Sequence, residues 1–353
     1  MGGTREGQAA EWWGRWPVWT AYAAVGGSLA YAVAGTHWAL GGGGFPFGAA
    51  DLDAADNGDL LAGVTPQAAG PVITALGVAG ALAGWAMLRR TRIARPLVLA
   101  VGIGLAVLLA VVLPESRAVK WMPPLGLLGF LRPPSGSTVQ FLVLMLLGFV
   151  WAGAMLAYWR ATRGACATCG RSGRPDDPRW ARWGRIVTYV AIVAPFGYAL
   201  VRVGWAMGVP IGVPPEFLER INAANPGNTT MILELALAGF ATGGALLTVG
   251  LLRPWGTRFP RWLGGRPVPV AFPVAFAGTV AVSLTAFGLS MAPDVVRFFA
   301  GGMHAMGYRM GLLWALPPVA ILVWGLSLGA ATWAYHRRRR TACKRCGQGD
   351  PIR

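Results

Sequence analysis

AYWRATRGACATCG, residues 157–170, recurs as AYHRRRRTACKRCG at residues 334–347. Each copy follows a long apolar stretch, turns basic, and ends in Cys-x-x-Cys-Gly. The cysteines of the two copies correspond in pairs, Cys166 with Cys343 and Cys169 with Cys346. Internal repeats have to be found before any element is assigned, because a repeat fixes the architecture of the whole chain. We interpret the chain as a duplicated unit.

The starts of the two halves match as well. Residues 14–41 align without gaps to residues 181–208, and the identical pairs include two of tryptophan, two of tyrosine and one of glycine. The chain is therefore predicted to comprise a first repeat at 1–180 and a second at 181–353, each ending in Cys-x-x-Cys.

The composition is that of a membrane protein. Of the 353 residues, 55% are hydrophobic and 13% are charged, against about 25% charged in an ordinary soluble domain. Eight windows are apolar and long enough to cross about 30 Å of hydrocarbon. They lie near residues 17–40, 67–88, 96–114, 138–159, 184–208, 229–252, 268–291 and 311–335. The predicted fold is an all-α membrane protein with eight transmembrane helices.

Basic residues set the predicted orientation. With both termini in the cytoplasm, 24 of the 31 Lys and Arg residues fall in cytoplasmic segments and 6 in outer loops. Such an excess is the positive-inside pattern of multi-pass membrane proteins. The net charge of +17 is thus explained by topology, and no nucleic-acid partner is predicted. We predict a multi-pass protein with both termini cytoplasmic.

Each half contains four windows, an even number, so both copies enter the membrane from the same side. Repeats of this kind are parallel and are related by a pseudo-twofold axis along the membrane normal. The two cysteine pairs then emerge on the same face of the bilayer, and the axis is predicted to bring them together.

Four thiolates at Cys-x-x-Cys spacing are typical of a structural, tetrahedral zinc site. The predicted ligands are Cys166, Cys169, Cys343 and Cys346. His336 lies before the second pair, but its repeat partner is Trp159, so a symmetric site does not need it. Two redox dithiols, an iron–sulfur cluster and four plain reduced cysteines are the alternatives. Zinc is preferred because the cytosol disfavours stable disulfides and a duplicated pair exceeds what one redox centre needs.

Two charged residues fall well inside predicted membrane helices, Arg202 in the fifth window and Glu234 in the sixth. Each lies roughly 8–9 Å below the outer boundary, at 1.5 Å per residue. A charge in hydrocarbon is costly and usually has a partner, so the two are predicted to pair. The pair either locks the hairpin of these helices or handles a solute, ion or proton. Arg202 matches Gly35 in the first repeat, so the duplication is asymmetric at this position.

One stretch, NPGNTTMILELALAGFATGGALLTVGLLRPWGTRFPRW at residues 225–262, is followed by GGRPVPVAFPV at 264–274. Together with YALVRVGWAMGVPIG at 198–212, it resembles a group of multi-pass membrane proteins of high-GC actinobacteria for which no activity is established. The resemblance implies a bacterial plasma-membrane protein, and it supplies no catalytic residues.

Three classes of function remain open from the sequence. A transporter- or channel-like protein is the first interpretation, because parallel repeats and charges within helices suit a solute pathway. A scaffold or sensor is the second, in which a basic, zinc-bound cytosolic face docks a partner or an anionic lipid. A membrane-embedded redox enzyme using the cysteine pairs or histidines is the third. The sequence shows no catalytic constellation, so a non-enzyme is preferred.

Overall fold

We describe the protein from a computed structural model. The structure describes residues 15–51, 61, 63–89, 91, 94–114, 135–167, 169–172, 179–225, 227–259, 261, 264–305, 307–339, 342–343 and 346–348. These residues form two compact units. Unit 1 takes in the described residues within Met1–Pro175 and Thr341–Arg353, and unit 2 those within Asp176–Arg340. The tail that carries the second cysteine pair thus groups with unit 1, although the predicted second repeat ran to residue 353.

Unit 1 consists of four long helices. They are α1 (Trp16–Ala39), α2 (Pro66–Leu88), α3 (Arg95–Val107), which continues as the π-helical turn Leu108–Val112, and α4 (Gly136–Thr162). The side chain of Thr65 accepts a hydrogen bond from the first turn of α2, and that of Ser135 does the same for α4. Such caps satisfy backbone N–H groups that a helix start leaves free. Helix α1 packs on α2 and α4, and α4 also packs on α3.

Unit 2 repeats this pattern with additional short elements. Its long helices are α5 (Arg179–Ala206), α7 (Thr229–Val249), α8 (Ala271–Ser290) and α10 (Leu316–Arg339). Between them lie α6 (Pro215–Ala224), α9 (Ala292–Ala300) and an antiparallel pair of strands, β1 (His304–Ala305) and β2 (Tyr308–Arg309). Helix α5 packs on α7 and α10, and α10 also packs on α8. In each unit, therefore, the first long helix contacts the second and fourth, and the fourth contacts the third.

Glycines allow the helices of each unit to touch backbone to backbone. A Cβ atom built on Gly77 of α2 would lie 2.6 Å from the backbone nitrogen of Ala32 in α1. In unit 2, a Cβ on Gly325 of α10 would lie 2.5 Å from the backbone nitrogen of Thr285 in α8. Small residues at such crossings are typical of membrane helices, which associate largely through close packing.

The helices are long and apolar enough for a membrane protein. Among the described residues, seven candidate spans qualify: Pro66–Leu88, Arg95–Val112, Gly136–Thr162, Arg179–Ala206, Thr229–Val249, Ala271–Ala300 and Leu312–Arg339. Large apolar side chains on these helices face outward, including Val193 at 64% and Leu326 at 58% exposure. A soluble protein rarely exposes apolar surface on this scale. The predicted class, an all-α membrane-embedded protein, agrees with this structure.

The first predicted window coincides with α1, a helix of 24 residues, but α1 is not among the seven candidate spans. Its Trp, Tyr, Thr and Gly residues contribute little to its hydropathy. One of its aliphatic residues, Val33, is nevertheless 70% exposed. Seven spans are recognised by length and composition among the described residues. Eight transmembrane helices and a parallel repeat therefore stay predictions.

Two tyrosines that align between the predicted repeats make the same kind of bond. The Tyr158 hydroxyl of α4 donates to the Thr91 carbonyl, 2.6 Å away, in the connection between α2 and α3. The Tyr335 hydroxyl of α10 donates to the Gly256 carbonyl, 3.0 Å away, in the connection between α7 and α8. Each tyrosine thus anchors the connection between the second and third long helices of its own unit.

Candidate functional site

The first cysteine pair follows directly from the end of α4. Gly164 adopts a left-handed conformation with φ +65°, and the Ala165 N–H donates to the Arg160 carbonyl at 2.9 Å. Glycine is the residue that adopts this conformation most easily, so it ends the helix and turns the chain. Cys166 comes two residues later, at the start of a tight loop that we call the first knuckle (residues 166–171, of which Thr168 lies outside the described residues).

The second knuckle (residues 343–348, of which Lys344 and Arg345 lie outside the described residues) has the same backbone bonds. In the first knuckle, the Cys166 N–H donates to the Arg171 carbonyl, and the Gly170 N–H donates to the Cys166 carbonyl. In the second, the Cys343 N–H donates to the Gln348 carbonyl, and the Gly347 N–H donates to the Cys343 carbonyl. Both glycines have positive φ, +72° and +68°. Two segments 177 residues apart thus fold into one local shape.

The two knuckles bring all four thiols together. The four Sγ atoms of Cys166, Cys169, Cys343 and Cys346 lie within 4.8 Å of one another, close enough to hold a metal ion. Across the knuckles, the Sγ atoms of Cys166 and Cys343 are 3.9 Å apart, and those of Cys169 and Cys346 are 3.6 Å apart. A tetrahedral zinc ion with bonds of about 2.3 Å requires sulfur–sulfur edges of about 3.8 Å. Both distances across the knuckles are close to this edge, and none of the four thiols forms a disulfide.

Two arginines of unit 1 hold the knuckles in place. Arg171 reaches from the first knuckle to the second, where its Nη1 atom donates to the Gln348 carbonyl at 2.6 Å. Arg160 of α4 donates from Nη1 to the Ala167 carbonyl at 3.0 Å, and its guanidinium also lies 5.7 Å from the ring centre of Trp16. Arg160 therefore connects the first knuckle to the ends of α1 and α4.

Burial differs among the four cysteines. Cys343 is buried, Cys166 and Cys169 are half-buried, and Cys346 is exposed. The backbone hydrogen bond from Gln348 lowers the pKa of the Cys346 thiol, but desolvation and the three neighbouring thiols raise it, so that the pKa stands at about 11. Negative charges on adjacent sulfur atoms repel one another. The raised pKa keeps the Cys346 thiol protonated unless a cation among the four sulfur atoms stabilises the thiolate.

The charged pair predicted from the sequence lies in unit 2. Arg202 of α5 donates from Nη1 to both carboxylate oxygens of Glu234 on α7, at 3.1 and 3.0 Å. The side chains are 22% and 9% exposed. The Arg202 guanidinium also lies 4.8 Å from the ring centre of Tyr198 and 5.1 Å from that of Trp205. The two side chains are thus in direct contact and largely buried, and two aromatic rings lie against the guanidinium.

The matching position in unit 1 has no charge at all. Gly35, which aligns with Arg202, lies at the contact between α1 and α2, where a Cβ would fall 2.7 Å from the backbone nitrogen of Thr74. The same helix pair is therefore joined by backbone contact in unit 1 and by an ion pair in unit 2. The Arg202 Nε atom is buried and has no hydrogen-bond partner among the described residues.

Sequence reasoning missed the groups that support these sites. It did not predict the bonds of Arg160 and Arg171 to knuckle carbonyls, nor the aromatic cover of Arg202. The sequence marked Arg160 only through its match with Arg337 in the repeat alignment, and Arg171 only as a cation that flanks the cysteines. The flanking cations Arg340, Lys344 and Arg345, which the sequence placed near the cysteines, lie outside the described residues.

No known protein family, curated protein or solved structure matches this chain. The function therefore has to be argued from the geometry of its own residues.

Proposed function

We propose that the chain is a multi-pass membrane protein in which the two knuckles hold one structural zinc ion. The observation that carries this proposal is the grouping of the four Sγ atoms within 4.8 Å, built from two loops with the same backbone bonds. Four thiolate ligands fill a tetrahedral shell, so no position remains for a substrate or water. The metal therefore serves the structure of the protein and not a reaction.

Zinc fits these ligands better than the alternatives do. Tetrahedral sulfur sites select zinc or iron. A redox dithiol needs two thiols, whereas four converge here, and the backbone of each knuckle is already turned for ligation by its left-handed glycine. Zinc has no redox chemistry and holds thiolates stably in a reducing cytosol. The positive-inside count supports placing the knuckles there.

The ion acts as a staple between distant parts of the chain. Cys166 and Cys343 are separated by 177 residues, so a metal bound to both closes a very long loop. In the chain-entropy account of cross-links, a loop of this length is worth about 5 kcal/mol at most. Helices that stay in the membrane when unfolded are already restricted, which reduces the gain. The staple fixes the tail after α10 against the first knuckle.

This architecture supports a docking or scaffold role in a bacterial plasma membrane, with both termini cytoplasmic. The sequence on both sides of the cysteine pairs is basic, and basic segments at the cytoplasmic leaflet attract anionic partners. Transport, the first interpretation of the sequence, stays a second candidate because a charged pair is buried in the helices. The closed geometry of that pair, with Glu234 9% exposed, favours a lock between α5 and α7 over a solute site.

Elemental analysis of the purified protein tests the zinc proposal. We expect about one zinc per chain, and we expect the double variant C166S/C343S to lose it. His336→Gln is the matched control, because it removes a metal-binding side chain that precedes the second knuckle in the sequence and is not part of the thiol group. Wild type without stoichiometric metal, or with iron and visible absorbance, contradicts the proposal. So does zinc that is lost equally from the His336 variant.

A further inference from the structure

Unit 2 contains a cleft that is rich in arginine and unrelated to the cysteines. Its volume is about 480 Å³, and it lies between the start of α5, the connection after α7 and the end of α10. Its lining includes four arginines and a tyrosine: Arg185, Arg253, Arg338, Arg339 and Tyr335. Three separate segments thus bring four guanidinium groups to one cavity.

No described acidic residue balances these charges. The acids that the structure describes in unit 2 are Glu216, Glu219, Glu234 and Asp294, and none of them lines the cleft. Asp176 and Asp177 lie outside the described residues. Four like charges that line one cavity repel one another unless an anion lies between them. The charge distribution of this cleft therefore calls for an anionic ligand.

The backbone fixes two of the arginines. Arg338 donates from Nη2 to the Leu251 carbonyl at 3.0 Å. Arg339 donates from Nη2 to the Thr257 carbonyl at 3.4 Å, and its Nε atom is buried with no partner among the described residues. A buried N–H group without an acceptor is costly, and a bound oxyanion would supply one. Arg185 and Arg253 are exposed, as Arg338 is despite its backbone bond.

Apolar surface continues from the cleft along the helices. Leu251 and Leu252 line the cavity beside the arginines. On α7, one turn before Leu251, Leu247 is 59% exposed, and on α5 Ile186, next to Arg185, is 55% exposed. A free phosphate ion makes no favourable contact with this apolar surface. A phospholipid does, because its acyl chains lie along exposed apolar side chains while its headgroup occupies the basic cavity.

We infer that the cleft binds the phosphate headgroup of an anionic glycerophospholipid. Guanidinium groups bind phosphate oxygens through paired, charge-assisted hydrogen bonds, for which arginine is better shaped than lysine. The inference deepens the docking role proposed above and rests on it. It does not depend on zinc, since the cleft belongs to unit 2 and the knuckles to unit 1.

The test measures binding of a fluorescent phosphatidylglycerol to the full-length protein in a neutral detergent. Arg185→Gln with Arg253→Gln removes two exposed charges whose loss leaves the backbone bonds of Arg338 and Arg339 in place. At about fivefold per arginine, this double variant should bind phosphatidylglycerol about 25-fold more weakly. The matched control is Arg182→Gln with Arg258→Gln, which removes the same charge from α5 and the same connection but outside the cleft lining. The control should change binding less than twofold.

Further arms separate the sources of the phosphate. Fluorescent phosphatidylcholine should bind weakly, and a large excess of inorganic phosphate should not displace phosphatidylglycerol. If the two double variants lose the same affinity for phosphatidylglycerol, binding depends on total charge and not on the cleft, and the inference is overturned. Unchanged affinity in the Arg185 and Arg253 double variant also overturns it. Complete displacement by inorganic phosphate assigns the cleft to a soluble anion and overturns it as well. Zinc content, measured on the same samples, should be the same in all variants, so failure of the lipid site and failure of the metal site are distinguishable.

Discussion

Removing one partner of the Arg202–Glu234 ion pair should destabilise the protein more than removing both. Glu234→Gln leaves the Arg202 guanidinium charged at a site where the side chain is 22% exposed. Breaking a buried pair costs about 3–5 kcal/mol, and the rings of Tyr198 and Trp205 offset part of this through cation–π contact of about 0.5–2 kcal/mol. We therefore expect a loss of about 2–3 kcal/mol.

Arg202→Gln should cost more than Glu234→Gln, because it leaves a carboxylate that is 9% exposed and has no ring contact to compensate. In the double variant both groups are neutral amides, so its loss should be smaller than that of either single variant, which corresponds to a coupling of about 3 kcal/mol or more. The quantity to measure is the free energy of unfolding in mild detergent, for the four members of the cycle.

The Asp294–Arg297 pair is the control for this cycle. Its atoms are closer, 2.8 Å against 3.0 Å, but its side chains are 52% and 75% exposed. An exposed pair contributes about 0.2–1 kcal/mol, so the same cycle at Asp294 and Arg297 should give weak coupling. Losses at Arg202 and Glu234 that add within about 0.5 kcal/mol refute the reasoning, because additivity means that the two side chains do not interact.

Two further outcomes follow from packing and hydrogen bonding. Gly77→Ala places a methyl group 2.6 Å from the backbone of α1 and should lower the stability in detergent by about 1–3 kcal/mol. Gly26→Ala is the control and should cause no loss, because its methyl group meets open space. Equal effects of the two substitutions on the melting temperature would contradict the close contact between α1 and α2. Tyr158→Phe and Tyr335→Phe each remove one hydrogen bond to a loop carbonyl and should each cost about 1 kcal/mol. A large effect of one and none of the other in thermal unfolding speaks against equivalent roles.

The helices could be predicted from the sequence because a helix that spans a membrane requires a long run of apolar residues. Each of the eight predicted windows coincides with a helix of the structure, with ends displaced by a few residues. The windows did not distinguish α1, whose tryptophans, glycines and threonines lower its apolar character. They also did not reveal α9, a short helix between the long ones.

The cysteine site could be predicted from the sequence for a different reason. Cys-x-x-Cys-Gly is a local motif, and its duplication suggested that two motifs share one ion. A local motif does not indicate which residues from distant parts of the chain will contact it, so the hydrogen bond from Arg171 to the Gln348 carbonyl was not predicted. The basic cleft was missed for the same reason. Arg185, Arg253 and Arg338 are far apart along the chain, and only the packing of α5, α7 and α10 brings them to one cavity.

X-ray absorption at the zinc edge of the purified protein tests the central claim most directly. The zinc proposal predicts a single shell of four sulfur atoms at about 2.3 Å from zinc, contributed by Cys166, Cys169, Cys343 and Cys346. A shell that contains nitrogen or oxygen, fewer than four sulfur atoms, or no zinc signal at all would contradict it.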